Sequence, residues 1–345
     1  MYDSIRGANK RLNTNTTGSQ STEGLDSFDS DGFTINNTGG LNASGDYVAY
    51  CWKAGGAPTA ANVATSGAMT ANSVSLNGTL QSAYTPSGSP TVYPKKMSVN
   101  TEAGFSIVEY NTGSNGDTFT VPHGLGAKPK VIWHRGGYDS NSYNWDCYFN
   151  WTPTGGANYN GHLGRVKLNS GDGFTNETGD VPWGDTAPTS DIITFSNSSA
   201  SSGDWWGLNK NQIMYIWTEI PGFSDFGFYR GNGESTAIYQ PFIYTGFKPR
   251  LVIIKNLSTG STQWTVFDTA REDGYNMYQR NEFSTQTAAT SHSSTTNARI
   301  DMLSNGFRIV GGSGTYVNTL TDAYAYMAFA EMPAKYSAGN ENLNT

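Results

Sequence analysis

Four blocks of this chain recur in one order at nearly constant spacing, and that recurrence restricts the fold more than any other feature. Gly104-Phe105-Ser106, with Tyr110 and Gly113, returns as Gly222-Phe223-Ser224, with Phe228 and Gly231. Gly126 to Ile132 (GAKPKVI) returns as Gly246 to Val252 (GFKPRLV), and Trp145 to Tyr148 (WDCY) as Trp264 to Phe267 (WTVF). Trp217 to Pro221 (WTEIP) returns as Phe329 to Pro333 (FAEMP); the four offsets are 118, 120, 119 and 112 residues. Each full copy is then roughly 115 residues long, the size of a common two-sheet sandwich.

The N-terminal region matches only the second half of that copy. Tyr2 to Arg6 (YDSIR) corresponds to Phe267 to Arg271 (FDTAR), and Ser30 to Ile35 (SDGFTI) to Ser304 to Ile309 (SNGFRI). Tyr47 to Trp52 (YVAYCW) corresponds to Tyr324 to Phe329 (YAYMAF). The organisation read from these matches is about two and a half units. Residues 1–55 are the C-terminal half of a unit, and 56–101 an extended linker rich in Ala, Ser, Thr, Gly and Pro. Two full repeats follow, 102–221 and 222–336, and then a flexible tail, 337–345. A half-sandwich leaves a sheet face and strand edges open. Residues 1–55 are therefore expected to be completed by another chain or to belong to a longer product.

Composition agrees with an all-β chain. Charged residues are 14% of the 345, and Gly contributes 41, where surface helices need Lys, Glu, Arg, Ala and Leu and tolerate Gly badly. Aromatics at 13% supply large buried areas for several modest cores. In the second full unit, alternation and turn signals place strands at about 224–229, 240–244, 250–256, 263–268, 298–303, 306–310 and 323–330. Asp31-Gly32 and Asn305-Gly306 read as hairpin turns. The stretch 152–210 departs from the pattern. The fold class is all-β, in tandem sandwich units of jelly-roll-like character.

A net charge of −7 and the lack of a basic cluster speak against a nucleic-acid surface. No apolar run reaches the length of a membrane span. Residues 1–15 lack the apolar core of a signal peptide, so release by cell lysis is the expected route out of a cell.

The blocks Phe28 to Ile35 (FDSDGFTI), Leu41 to Gly55 (LNASGDYVAYCWKAG), Gly104 to Tyr110 (GFSIVEY), His123 to Pro129 (HGLGAKP) and Tyr244 to Ile254 (YTGFKPRLVII) resemble a repeated domain of tail-fibre and structural proteins of cyanophages and other marine phages. The likeness covers almost all of 1–336 and rests on turns and strand cores. It implies a virion protein, a tail fibre or other appendage, assembled in the host cytoplasm and working in particle assembly and host-surface glycan attachment. It implies no enzymatic activity, no catalytic residues and no cofactor. Its partners are expected to be copies of itself, with a trimer the first expectation, and other virion proteins. The competing readings are a capsid decoration or head-fibre protein, a secreted carbohydrate-binding module and a polysaccharide depolymerase, the last needing paired carboxylates across a groove.

Individual motifs yield to structural readings. Asp29-Ser30-Asp31-Gly32 has the start of a calcium loop, but the Glu expected at its twelfth position is missing, and a hairpin turn explains it. His123 stands on a glycine-rich loop without a nucleophile beside it, and His134, His162 and His292 lack zinc-site spacing. No metal site is expected. Asp3 to Arg6 reads as a turn held by charge-assisted hydrogen bonds. Cys51 and Cys147 align with Ala328 and Val266 and read as small buried residues. Trp183, Trp205 and Trp206 differ in kind: they lie in Gly- and Asp-rich stretches without counterparts in the second unit. They are the candidate ligand or interface residues, offering flat faces to sugars or to a partner chain.

Overall fold

The computed structural model describes residues 1–45, 47–112, 118–140, 143–150, 160–177, 182–196, 209–234, 236, 239–260, 262–270, 278–279, 281–283, 299–310 and 316–330. The protein is all-β; among the described residues helix is limited to short 3-10 turns, as at Gly161–Leu163. None of the described helices is long and apolar enough to cross a membrane. The chain forms two compact units. The first holds residues 1–148, 162–165 and 177–218, the second 149–161, 166–176 and 219–345.

In the second unit, one sheet runs Ser224–Arg230, Ala323–Ala330, Pro249–Asn256, Trp264–Asp268, Asn281–Phe283. The facing sheet runs Phe242–Tyr244, Gly306–Ile309, Arg299–Leu303, Tyr278–Gln279. Period-2 alternation decides what lies between them. Val252, Ile254, Tyr324, Tyr326 and Ala328 point inward from one sheet and meet Ile243, Ile300, Met302, Phe307 and Ile309 from the other. The Asn305-Gly306 turn joins two strands in register, with Leu303 opposite Gly306.

The main sheet places Phe105–Asn111, Asn211–Trp217, Val131–Arg135, Trp145–Phe149 and Gly164–Lys167 side by side in that order. The four recurring sequence blocks therefore mark equivalent places in the two sheets: the start of one strand, the next two strands, and the end of the strand that lies between them. Phe119–Pro122 and Ile192–Phe195 pair antiparallel to form the facing sheet. Between the layers lie Val108, Tyr110, Ile132, Met214 and Ile216 with Phe119, Val121, Ile193 and Phe195.

Residues 56–101 extend the main sheet. Lys96–Asn100 pairs with Phe105–Asn111, and Val74–Leu76 joins it in parallel. The buried side chains of Met69, Val74, Val92, Met97 and Val99 explain why a stretch of linker-like composition is ordered here: these apolar residues enter the core, while Val63 and Leu80 stay exposed.

Strands buried on both faces need two covers. Val131–Arg135 is buried at every position, and its second face carries Trp133, beside Tyr215 in register. The N-terminal segment supplies that cover. Trp145 Nε1 donates to the Asn13 carbonyl at 2.9 Å, and Arg135 Nη2 donates to the Gly18 carbonyl at 2.9 Å and to that of Thr17. Trp52 stands edge-on to Trp133 and Trp217, at 6.3 and 5.7 Å between centroids. Gly55 lies flat on the sheet, where a Cβ would strike the carbonyl oxygens of Val99 and Ser75.

The hairpin expected at Asp31-Gly32 forms, joining Leu25–Phe28 to Phe33–Ile35. Tyr47–Trp52 differs from its sequence counterpart: Tyr324–Phe329 is a strand paired on both sides, whereas 47–52 is not in a strand. Without flanking strands, its alternation turns Trp52 inward and leaves Cys51 exposed, against the expectation of a buried thiol; Cys147 is buried as expected.

Candidate functional site

Most charged side chains that the fold buries are consumed in holding backbone. Asp3 Oδ1 accepts from the Ile5 and Arg6 amides at 3.0 and 2.8 Å. Its Oδ2 accepts from Arg6 Nε at 2.6 Å and from the Tyr215 hydroxyl at 2.7 Å. Arg6 Nη1 continues to the Lys10 carbonyl at 2.9 Å, and its guanidinium lies 5.8 Å from the Tyr138 ring centroid. Burial by itself lowers the Arg6 pKa, but Asp3 and the Tyr215 oxygen outweigh it and hold the group above its ordinary value. The Asp-Ser-Ile-Arg motif is thus the charge-assisted turn its spacing suggests, and it also pins the N-terminal segment to the sheet. Asp268 caps its own turn alike, accepting from the Ala270 amide at 3.0 Å.

A second knot joins Arg165 Nη1 to Asp146 Oδ1 at 2.7 Å and Arg165 Nε to Glu177 Oε2 at 3.2 Å. His123 is locked as a neutral imidazole. Its Nδ1 accepts from the Leu125 amide at 3.3 Å, which makes Nε2 the donor to the Thr189 carbonyl, also at 3.3 Å. Burial pushes its pKa down to about 4. His134 sits beside the Tyr110 hydroxyl at 3.0 Å, and burial, with Arg135 next to it, holds it well below the ordinary value. Among the described residues no group of three or more His, Cys, Asp or Glu is placed to hold a metal ion. The Asp29 carboxylate accepts from Ser27 and Thr34 hydroxyls at 2.7 and 2.8 Å, so its oxygens brace the hairpin.

Of the tryptophans singled out in the sequence, Trp183 is a core residue. It is fully buried, donates Nε1 to the Gly164 carbonyl at 3.0 Å, and packs on Tyr148 and Phe195 at 5.4 and 5.7 Å. It has no face to offer a ligand. Trp205 and Trp206 lie outside the described residues.

The exposed surface that the sequence reading missed consists of two aromatic sheet faces. On the N-terminal hairpin Phe28 pairs with Phe33 in register, and Ile35 follows on the same face; they are 46%, 41% and 36% exposed. Their counterparts by sequence, Phe307 and Ile309, are completely buried beneath the opposing sheet of the second unit. The same motif thus lies covered in one place and open in the other. The second face belongs to the edge strand Phe242–Tyr244. Ile243 points into the core, while Phe242 and Tyr244 are 47% and 67% exposed, with Tyr239 nearby in sequence at 65%. Tyr244 lies opposite Gly306, and Phe242 opposite Arg308. The Phe242 ring closes over Gly306, where a Cβ would come within 3.1 Å of Cζ. The result is a shelf of two rings floored by bare backbone. The signal was present as aromatics at both i and i+2 of a short strand, which alternation alone assigns to a core.

The chain belongs to the family described as Domain of unknown function (DUF7483), whose model matches residues 1–91 and 87–333. No curated protein and no solved structure matches it.

Proposed function

We propose that this member of the family is a non-enzymatic structural component of a phage virion, a tail-fibre or appendage protein built from about two and a half sandwich units. It acts in particle assembly through contacts between sheet faces, as a homo-oligomer, a trimer by first expectation, and with other virion proteins; host-surface glycans are its second class of partner. It is assembled in the host cytoplasm and released by lysis. The observation that carries the reading is the contrast between the two hairpins of one sequence motif. A face that is core in a complete unit is left open at Phe28, Phe33 and Ile35, the condition expected of a surface meant for a neighbouring subunit. The employment of Asp3, Arg6, Asp146, Arg165 and Glu177 in structural knots supports a scaffold role, because such groups are already committed. The resemblance of the recurring blocks to phage appendage domains supplies the particle.

Quantitative mass spectrometry of purified virions of the encoding phage tests this reading. A small multiple of three copies per particle is the expected result. Hundreds of copies would place the chain in the head lattice and overturn the appendage reading. Virions lacking its peptides would overturn the structural role altogether.

A further inference from the structure

The open hairpin and the aromatic shelf complement each other in charge as well as in apolarity. Asp26 and Asp31 flank the Phe28/Phe33/Ile35 face, both exposed, and neither is in an ion pair among the described residues. Lys248 is exposed just after the Phe242–Tyr244 strand, and Arg299, half-buried, stands two strands away in the same sheet. Arg299 lies two residues from Asp301, whose carboxylate is already paired with Arg308. Arg308 is thereby neutralised, and Lys248 and Arg299 set the positive sign of the rim. Packing the hairpin on a second hairpin would oppose carboxylates to carboxylates, which is unfavourable. Packing it on the shelf opposes unlike charges and covers both sets of rings.

From this we infer that Phe28, Phe33 and Ile35 of one copy dock on the Phe242/Tyr244 shelf of a second copy, with Asp26 and Asp31 turned toward Lys248 and Arg299. The contact is heterologous: each copy uses one surface and leaves the other open. Head-to-tail contacts of this kind grow into a ring or a filament. The inference rests on the proposed structural role and names the surfaces through which like chains associate. With three residues on one side and two or three on the other, the interface falls in the small, reversible class, below about 1,200 Å² in total.

Sedimentation velocity on the purified full chain, from about 1 to 200 µM, tests it in the range where small interfaces associate. The weight-average mass should rise with concentration. A Phe33→Ser/Ile35→Ser variant and a Phe242→Ser/Tyr244→Ser variant should each remain monomeric, with circular dichroism and melting like the parent, because every changed side chain is exposed. An equimolar mixture of the two should form a 1:1 dimer and stop, since only one intact hairpin and one intact shelf can meet. As a check free of apolar truncation, Asp31→Lys and Lys248→Glu should each weaken association about tenfold, and the double variant should recover most of it. A parent chain that stays monomeric throughout overturns the inference, as does a hairpin variant that still assembles or a mixture that stays monomeric. Oligosaccharide binding at the shelf of a monomeric chain would also overturn it and give that surface to glycans. A monomer in solution leaves the virion copy number untouched, and virions without the chain leave this contact standing, so the two readings fail separately.

Discussion

Removing the Asp3 carboxylate should detach the N-terminal segment from the sheet it covers. Asp3→Ala deletes four hydrogen bonds, from the Ile5 and Arg6 amides, Arg6 Nε and the Tyr215 hydroxyl. It also leaves the Arg6 guanidinium, whose side chain is 1% exposed, without its counter-charge. Breaking a buried pair from one side costs about 3–5 kcal/mol, and the upper half of that range applies because the Tyr215 hydroxyl loses its acceptor too. With a urea m-value of about 2–3 kcal/mol/M for a unit of this size, the midpoint should fall by roughly 1.5 M. Arg6→Leu should cost less, about 2–3 kcal/mol, because Asp3 keeps the two amides and the tyrosine. The double variant should cost little more than Asp3→Ala alone, since the stranded cation has gone, giving a coupling of about 2 kcal/mol. Equilibrium unfolding followed by tryptophan fluorescence reports it directly, because Trp52, Trp133, Trp145 and Trp217 all lie in this unit. Additivity of the two single variants within about 0.5 kcal/mol, or a loss below about 1 kcal/mol for Asp3→Ala, would refute the claim that this knot anchors the segment.

Two further outcomes follow from the core of the first unit. His123 is held neutral with a pKa of about 4 against 6.5 when unfolded, so its contribution is intact above pH 6.5. It is lost as pH falls toward 4, by about 3 kcal/mol in all; His123→Gln should remove that part of the acid slope, seen by comparing urea midpoints at pH 7.5 and 4.5. Trp183→Ala should cost about 3–5 kcal/mol in the same assay; a near-neutral result would return Trp183 to the list of surface residues.

What could be read in advance was whatever depends on neighbours along the chain. Strand ends in the second unit fall within a residue or two of the alternation pattern, as Pro249–Asn256 and Ala323–Ala330 show. Both Gly-containing turns are hairpins between runs that alternate along the chain, although neither Gly32 nor Gly306 takes a positive φ; Gly306 instead leaves room for the Ile243 carbonyl of the neighbouring strand. What escaped depends on residues brought from afar. Trp183 looks like an exposed turn residue until Tyr148 and Phe195 close on it. Phe33 and Phe307 occupy the same local motif, and only a sheet made from other parts of the chain separates an open ring from a buried one. Cys51 was misplaced because its counterpart strand owes its form to two flanking strands that residues 47–52 lack.

The Asp3–Tyr215 hydrogen bond spans 212 residues, and this imposes an order of events during synthesis. At about 5–20 residues per second, Asp3 leaves the ribosome roughly 10–40 s before its partner. Through that interval Ile5 and Leu12 have no sheet to lie on, and the buried charge pair has no pocket. This segment, made well before its partner strand, is thus among the last to be fixed, and contacts of such long range slow folding. A chain released short of Trp217 would carry an N-terminal strap with nowhere to bind, a ready mark by which quality control could tell it from a finished copy.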